Sequence, residues 1–191
     1  MKRVFLVHCW GGKPEGGWYS WIKRELEAKG ISVFIPAMPN PDTPEIKAWV
    51  NALNKAVGNV DEDTYFIGHS VGCQTILRYL EKVNKKVGGV FFVAGWFNLV
   101  NLENKEAEEI IKPWLKKKIN LDRVRNLAKE FVAFFSDDDP WVPIHDADIF
   151  NKELGAKVIM EHGKGHFTEE DGVSAGTNIN VLLDEILRVI K

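Results

Sequence analysis

A three-layer α/β/α sandwich built on about six mostly parallel strands is the fold class the chain predicts, and three observations carry that reading. Short runs rich in Val, Ile and Phe alternate along the chain with segments whose apolar residues recur at helical spacing. The central runs, such as Gly88-Gly89-Val90-Phe91-Phe92-Val93-Ala94, are apolar almost throughout, as strands covered on both faces are. The length of 191 residues with 45% hydrophobic content suits one domain, spanning 1–191, with a substantial core.

The elements follow in order. Residues 3–7, Arg3-Val4-Phe5-Leu6-Val7, read as a buried strand that runs into the glycine-rich turn His8-Cys9-Trp10-Gly11-Gly12. Trp18, Trp21, Ile22 and Leu26 form one apolar stripe of a helix that Gly30 ends. Residues 31–35 are the next strand, and Pro36, Pro41 and Pro44 make a loop before a helix over 45–57, where Ile46, Trp49, Val50 and Leu53 share a face. A strand over 63–67 and a helix over 73–83 flank Gly68-His69-Ser70-Val71-Gly72, and the strand over 88–94 comes next. The irregular stretch 96–120 contains a short helix over 105–111 and is the only lid-sized insertion. Beyond it the pattern predicts a helix over 121–128, a strand over 131–135, an acidic turn, a helix over 144–154 ended by Gly155, and a strand over 157–160. A polar loop over 161–172 and an amphipathic helix over 178–190, with Ile179, Leu182, Leu183, Ile186 and Ile190 inward, close the chain.

Composition narrows the classes of function. Twenty-five basic and 27 acidic residues leave a formal charge of −2, which gives no large field to recruit nucleic acid or anionic lipid. The one basic cluster, Lys116-Lys117-Lys118, reads as a solvated helix face. No apolar run approaches the ~20 residues of a membrane span and no cleavable leader pattern opens the chain, so a cytoplasmic protein without membrane insertion is expected. The two cysteines, Cys9 and Cys73, have no metal or redox spacing and are expected to be reduced, buried thiols.

The chemistry starts at Gly68-His69-Ser70-Val71-Gly72. A G-x-S-x-G between a strand and a helix is the nucleophile-elbow pattern, in which the glycines leave room for a chain that reverses sharply beside the serine. A serine hydroxyl is inert until a base takes its proton. The loops after later strands offer partners: the acidic turn Ser136-Asp137-Asp138-Asp139-Pro140 and the segment Gly163-Lys164-Gly165-His166. The order Ser…Asp…His is that of an α/β-hydrolase triad. His166 is the expected base and Asp139 the expected acid, with Asp137 and Asp138 as turn residues and fallback acids. The expected donors to an oxyanion are the backbone N–H of Val71 and one from the loop after the first strand, for which Trp10 is the candidate; Cys9 stands where glycine often does in such loops.

Other residues have plainer readings. His162 and His166 are four apart, but Gly163 and Gly165 between them argue against a helical zinc site, so no metal and no cofactor is expected. His69 reads as structural, His8 as packing beneath the first loop, and His145 as a surface residue. Of the seven tryptophans, Trp10, Trp96 and Trp114 are the candidates for lining a substrate pocket.

The chain resembles the small α/β-hydrolase-fold serine hydrolases typified by retinoblastoma-binding protein nine, which include bacterial YdeN-like proteins. The resemblance runs through Gly17-Trp18-Tyr19-Ser20-Trp21, Ala37-Met38-Pro39-Asn40-Pro41, Gly68 to Gly72, Asp138-Asp139-Pro140 with Val142-Pro143, and Gly165-His166-Phe167. It implies Ser70, Asp139 and His166 as nucleophile, acid and base, and a truncated α/β-hydrolase fold lacking the two strands that begin larger members. No Leu-x-Cys-x-Glu type motif is present to transfer retinoblastoma binding, and the residues name no protein partner. The expected function is hydrolysis of small acyl esters, or of amides or thioesters, through an acyl-enzyme, the short 96–120 segment implying a small apolar pocket. A catalytically silent hydrolase-fold binding module is the alternative from a different class, and acyl transfer or lyase chemistry would use the same residues.

Overall fold

A computed structural model describes residues 1–168 and 179–191. Six strands form one parallel sheet: β1 (Arg3–Val7), β2 (Ser32–Phe34), β3 (Thr64–His69), β4 (Gly89–Val93), β5 (Phe131–Ser136) and β6 (Lys157–Glu161). Their order across the sheet is β2-β1-β3-β4-β5-β6, every neighbouring pair parallel. The helices are α1 (Tyr19–Glu27), α2 (Ile46–Val57), α3 (Val71–Leu80), α4 (Lys105–Lys116), α5 (Leu121–Val124), α6 (Asp146–Leu154) and α7 (Asn180–Val189). The first β-α-β unit winds toward one edge and all later ones toward the other, so the order reverses between β1 and β3. In parallel sheets ligands bind beyond the carboxyl ends of the strands at such a reversal. Cys9 and Trp10 follow β1 there, and Ser70 follows β3.

Each face of the sheet has its own apolar cluster, which makes a three-layer arrangement with helices on both sides. Val4, Leu6, Ile67, Phe91, Val93 and Phe134 meet α1 and α7 on one side. Phe5, Val7, Phe66, Phe92, Ala133 and Phe135 meet α2, α3 and α6 on the other. The alternation along β3 and β4 follows from the two-residue period of a strand, and because both faces are covered β4, Gly89–Val93, carries no polar side chain. The sheet interior therefore supplies a rigid base for the loops at its carboxyl edge.

Several boundaries differ from those the sequence predicts. The helix expected over 105–111 runs on through Pro113 to Lys116. Arg78 of α3, itself buried, explains the extension: its guanidinium donates to the carbonyls of Trp114 at 2.7 Å and Lys117 at 2.8 Å and lies 5.4 Å from the Trp114 ring. Carbonyls at the end of a helix have no partner within it, and here a buried cation supplies one. The helix expected over 121–128 stops at Val124, because the following residues turn back to pair Ala128 with Val87. The helix expected from residue 144 begins at Asp146, and α3 begins at Val71, immediately after the serine, and ends at Leu80. The closing helix occupies Asn180–Val189; the expected start at Asn178 and the loop beyond residue 168 lie outside the described residues. Leu183, expected inward, is only partly buried.

Candidate active site

The turn between β3 and α3 places Ser70 in a conformation few residues adopt. Its φ is 53° and ψ −117°, in the positive-φ region that disfavours side chains with a Cβ. The flanking glycines make the turn feasible. A Cβ on Gly72 would lie 2.2 Å from the carbonyl oxygen of Val7, and one on Gly68 would lie 2.7 Å from the amide nitrogen of Cys73. The elbow is therefore pressed against β1 on one side and against its own helix on the other. Strain of this kind persists only where surrounding structure enforces it, and it concentrates at functional sites.

Ser70, His166 and Asp139 come together from three loops at the carboxyl edge of the sheet. Ser70 Oγ lies 2.8 Å from His166 Nε2, and His166 Nδ1 lies 2.8 Å from Asp139 Oδ2. A carboxylate can only accept, so Nδ1 carries a proton, and in the neutral ring Nε2 then offers its lone pair to the serine hydroxyl. The second carboxylate oxygen, Asp139 Oδ1, accepts from the backbone N–H groups of Trp141 at 2.9 Å and Val142 at 3.0 Å. The Asp139 and His166 side chains are 3% and 7% exposed. A base held this way can take the serine proton while the aspartate fixes the ring and stabilises the imidazolium that forms.

The other aspartates of the turn have separate partners. Asp138 Oδ1 accepts from Ser136 Oγ at 2.6 Å and from the N–H of Gly165 at 2.8 Å, which fastens the acidic turn to the histidine loop. Asp137 pairs with His162 at 2.6 Å and accepts from Gly163 N–H, at the surface. Its hydrogen bond from His162 lowers the Asp137 carboxyl below the usual range and raises the imidazole above its own.

Beside Ser70 and His166 opens a cleft of about 310 Å³, lined by Trp10, Leu99, Leu102, Ala107 and Trp141 and, at its margin, Asp42 and Glu103. Trp10 lines it, and its indole donates to the Asp42 carbonyl at 2.8 Å. Trp96 reaches the site differently: it is buried, and its Nε1–H donates to Ser70 Oγ at 3.4 Å. Trp114 is a correction. It is buried with its indole N–H on the Pro44 carbonyl at 2.8 Å and lines a separate groove beside Thr43, Glu45 and Ile110, because Arg78 holds the end of α4 away from the cleft. Cys9 is a second correction, being only half-buried and exposed to the cleft, whereas Cys73 is enclosed and burial pushes its thiol pKa up.

Val71 is the first residue of α3, where an amide has no acceptor within the helix. The loop carrying Trp10 is held by Gly11 N–H on the Pro41 carbonyl at 2.9 Å and by His8 beneath it. His8 is buried, its Nδ1 2.8 Å from the Cys9 carbonyl and its Nε2 accepting from Met38 N–H at 3.1 Å, and burial lowers its pKa. His145 is exposed, as expected. Trp141, which packs edge-on to the His166 ring at 5.0 Å, is not singled out by any spacing; its only signal is its place directly after Asp139-Pro140. Asp146 is likewise silent in the sequence, yet it is fully buried and accepts from Asn98 N–H at 2.8 Å, fixing the segment that leaves β4. Among the described residues no group of three or more His, Cys, Asp or Glu converges as metal ligands would, and no helix is long and apolar enough to cross a membrane.

A parallel sheet reversing at a strained serine turn, covered by helices on both faces, defines the α/β-hydrolase class. The family model for serine hydrolases matches residues 4–185, and the chain belongs to that family. It is 28% identical over 177 residues to YdeN of Bacillus subtilis, covering 91% of this chain and 90% of that protein. It is also 28% identical over 177 residues to the serine hydrolase RBBP9 of Rattus norvegicus, covering 92% and 85%. The crystal structure of the B. subtilis YdeN gene product superposes with a TM-score of 0.88 at 25% identity, over 99% of this chain and 98% of that one. Est1E from Butyrivibrio proteoclasticus, solved with ferulic acid bound, shares the fold at a TM-score of 0.74 and 13% identity, over 100% and 90% of the two chains.

Proposed function

We propose that the protein is a carboxylesterase-type serine hydrolase acting on small acyl esters, with Ser70 as nucleophile, His166 as general base and acid, and Asp139 as the orienting carboxylate. The observation that carries this reading is the continuous hydrogen-bonded line from Ser70 Oγ through His166 to Asp139, at 2.8 Å on each side of the ring. Ser70 Oγ attacks the ester carbonyl carbon as its proton passes to His166 Nε2. The carbonyl oxygen becomes an oxyanion that the Val71 and Trp10 backbone N–H groups receive. Collapse breaks the bond to the leaving oxygen, which takes the proton from His166, and an acyl-Ser70 ester remains. Water, deprotonated by His166, attacks that ester; the acid departs and Ser70 regains its proton.

Leu99, Leu102 and Ala107 come from the 96–120 segment and present apolar surface to the cleft, which supports a lid that selects short acyl groups. A silent binding module would have no use for a serine held at φ 53° against a buried histidine–aspartate pair. The test is hydrolysis of p-nitrophenyl acetate and butyrate by the wild type and Ser70→Ala. Turnover by the wild type and a loss on the order of 10⁶-fold in kcat for the variant are expected. Equal rates from the two proteins would exclude Ser70 as nucleophile.

A further inference from the structure

His69, inside the elbow, has no part in the reaction as written, yet it is fully enclosed and both of its ring nitrogens are engaged. Its Nε2 lies 2.8 Å from the backbone carbonyl of His166, and its Nδ1 lies 2.6 Å from the Tyr19 hydroxyl. Tyr19 Oη in turn accepts from the backbone N–H of Cys9 at 3.1 Å. The proton positions follow by elimination. The His166 carbonyl can only accept, so Nε2 carries a hydrogen. Burial drives the His69 pKa down to about 3, so the ring is neutral and Nδ1 has a lone pair. Tyr19 must therefore donate to Nδ1, and burial keeps its phenol protonated by raising its pKa well above the ordinary value. The Cys9 amide donates to a lone pair of the same oxygen. The line thus runs in one direction, from the loop after β1, through the amino end of α1 and the elbow, to the backbone of the base.

We propose that Tyr19 and His69 are positioning residues that lock the oxyanion loop and the His166 loop into one frame around Ser70; this rests on the hydrolase reading above. The His166 loop needs such a frame. Gly163, Gly165 and Phe167 all have positive φ, and Phe167 does so despite having a Cβ. Trp18, adjacent to Tyr19, supplies a second tie from its indole N–H to the Phe167 carbonyl at 3.2 Å. On the other side, Cys9 immediately precedes Trp10, whose N–H is the proposed second oxyanion donor. One hydroxyl therefore bears on both the base and the oxyanion site without touching substrate.

Tyr19→Phe tests this, since it deletes the hydroxyl and retains the ring contacts with Trp18 and His69 at 4.7 and 5.8 Å between centroids. The expected result with p-nitrophenyl acetate is a kcat lower by roughly 10- to 100-fold, the effect of a small misplacement of reacting groups, with KM within about threefold. His69→Gln, which keeps an amide donor for the His166 carbonyl, should retain more kcat than His69→Leu. Ring ¹⁵N NMR should show wild-type His69 as the neutral Nε2–H tautomer from about pH 5 to 8, with shifted resonances in Tyr19→Phe. Tyr19→Phe with wild-type kcat and an unchanged His69 spectrum would overturn the proposal, as would equal losses in His69→Gln and His69→Leu. Should Tyr19→Phe fail to fold, the His69 pair decides. Should the wild type hydrolyse no ester, the hydrolase reading fails, and the NMR tautomer of His69 in the wild type alone judges the relay, a ring without the Nε2 proton refuting it.

Discussion

The loops after β5 and β6 meet in two histidine–aspartate pairs, and the contrast between them separates the proposed base from a surface ion pair. The outer pair, His162 and Asp137, is 2.6 Å apart with side chains 85% and 41% exposed. The inner pair, His166 and Asp139, is 2.8 Å apart with side chains 7% and 3% exposed. Both carboxylates also accept backbone N–H groups. Distance and the backbone hydrogen bonds to the carboxylates therefore do not separate them. The inner ring presents its second nitrogen to Ser70 and is shielded from water by Trp141, while the outer ring stands in solvent. In water the attraction of an exposed pair is screened and contributes little; in an enclosed site the same pair holds one tautomer in one orientation.

Substitutions should reproduce this difference, most strongly at the inner pair. Asp139→Asn keeps the shape and removes the charge that selects the Nδ1–H tautomer, so kcat for p-nitrophenyl esters should fall by roughly 10⁴-fold. Gly72→Ala attacks the third member of the inner site through the backbone. Its Cβ would sit 2.2 Å from the Val7 carbonyl oxygen, forcing α3 off β1. A drop of roughly 3–10 °C in melting temperature by calorimetry, with loss of activity, is expected from overpacking of this size. Asp138→Ala removes the acceptor that ties Ser136 to Gly165, between the two pairs, and should lower kcat about tenfold through a looser His166 loop.

The smallest effect belongs to the outer pair. Asp137→Asn should leave kcat within about twofold, since surface pairs contribute little. What should change is the titration of His162. Asp137 raises the His162 pKa, so NMR should find it above the ordinary imidazole value in the wild type and closer to that value in the variant. The sign follows for stability. The raised histidine stabilises the fold below its unfolded pKa and loses that contribution as pH rises through its folded one. The lowered Asp137 contributes above its unfolded pKa and loses that contribution as pH falls through its folded one. Both terms are present only between those limits, and a pH-dependence unchanged by Asp137→Asn would contradict the pairing.

The sheet was legible because its signal is local: short runs rich in apolar and β-branched residues mark all six strands, including the partly exposed edge strand β6. That Ser70, Asp139 and His166 meet at one edge of the sheet was legible as well, since each follows a strand and the elbow glycines have a steric reason. What escaped depends on distant contacts. Helix α4 extends through Pro113 because Arg78, more than thirty positions earlier, caps its carbonyls, and the same contact takes Trp114 out of the cleft. His69 could be read as structural from its place in the elbow. Nothing local indicates that its partners are Tyr19 and the His166 carbonyl, 50 and 97 positions away. Trp141 and Asp146 are silent for the same reason.

The central claim is that the inner pair makes Ser70, alone among the hydroxyls, a nucleophile. Intact-protein and peptide mass spectrometry after treatment with a fluorophosphonate probe tests it most directly. The account predicts one adduct per chain, on Ser70, formed by the wild type and by Asp137→Asn but strongly slowed in Asp139→Asn. A folded wild type that forms no adduct, or forms it on another residue, would contradict it.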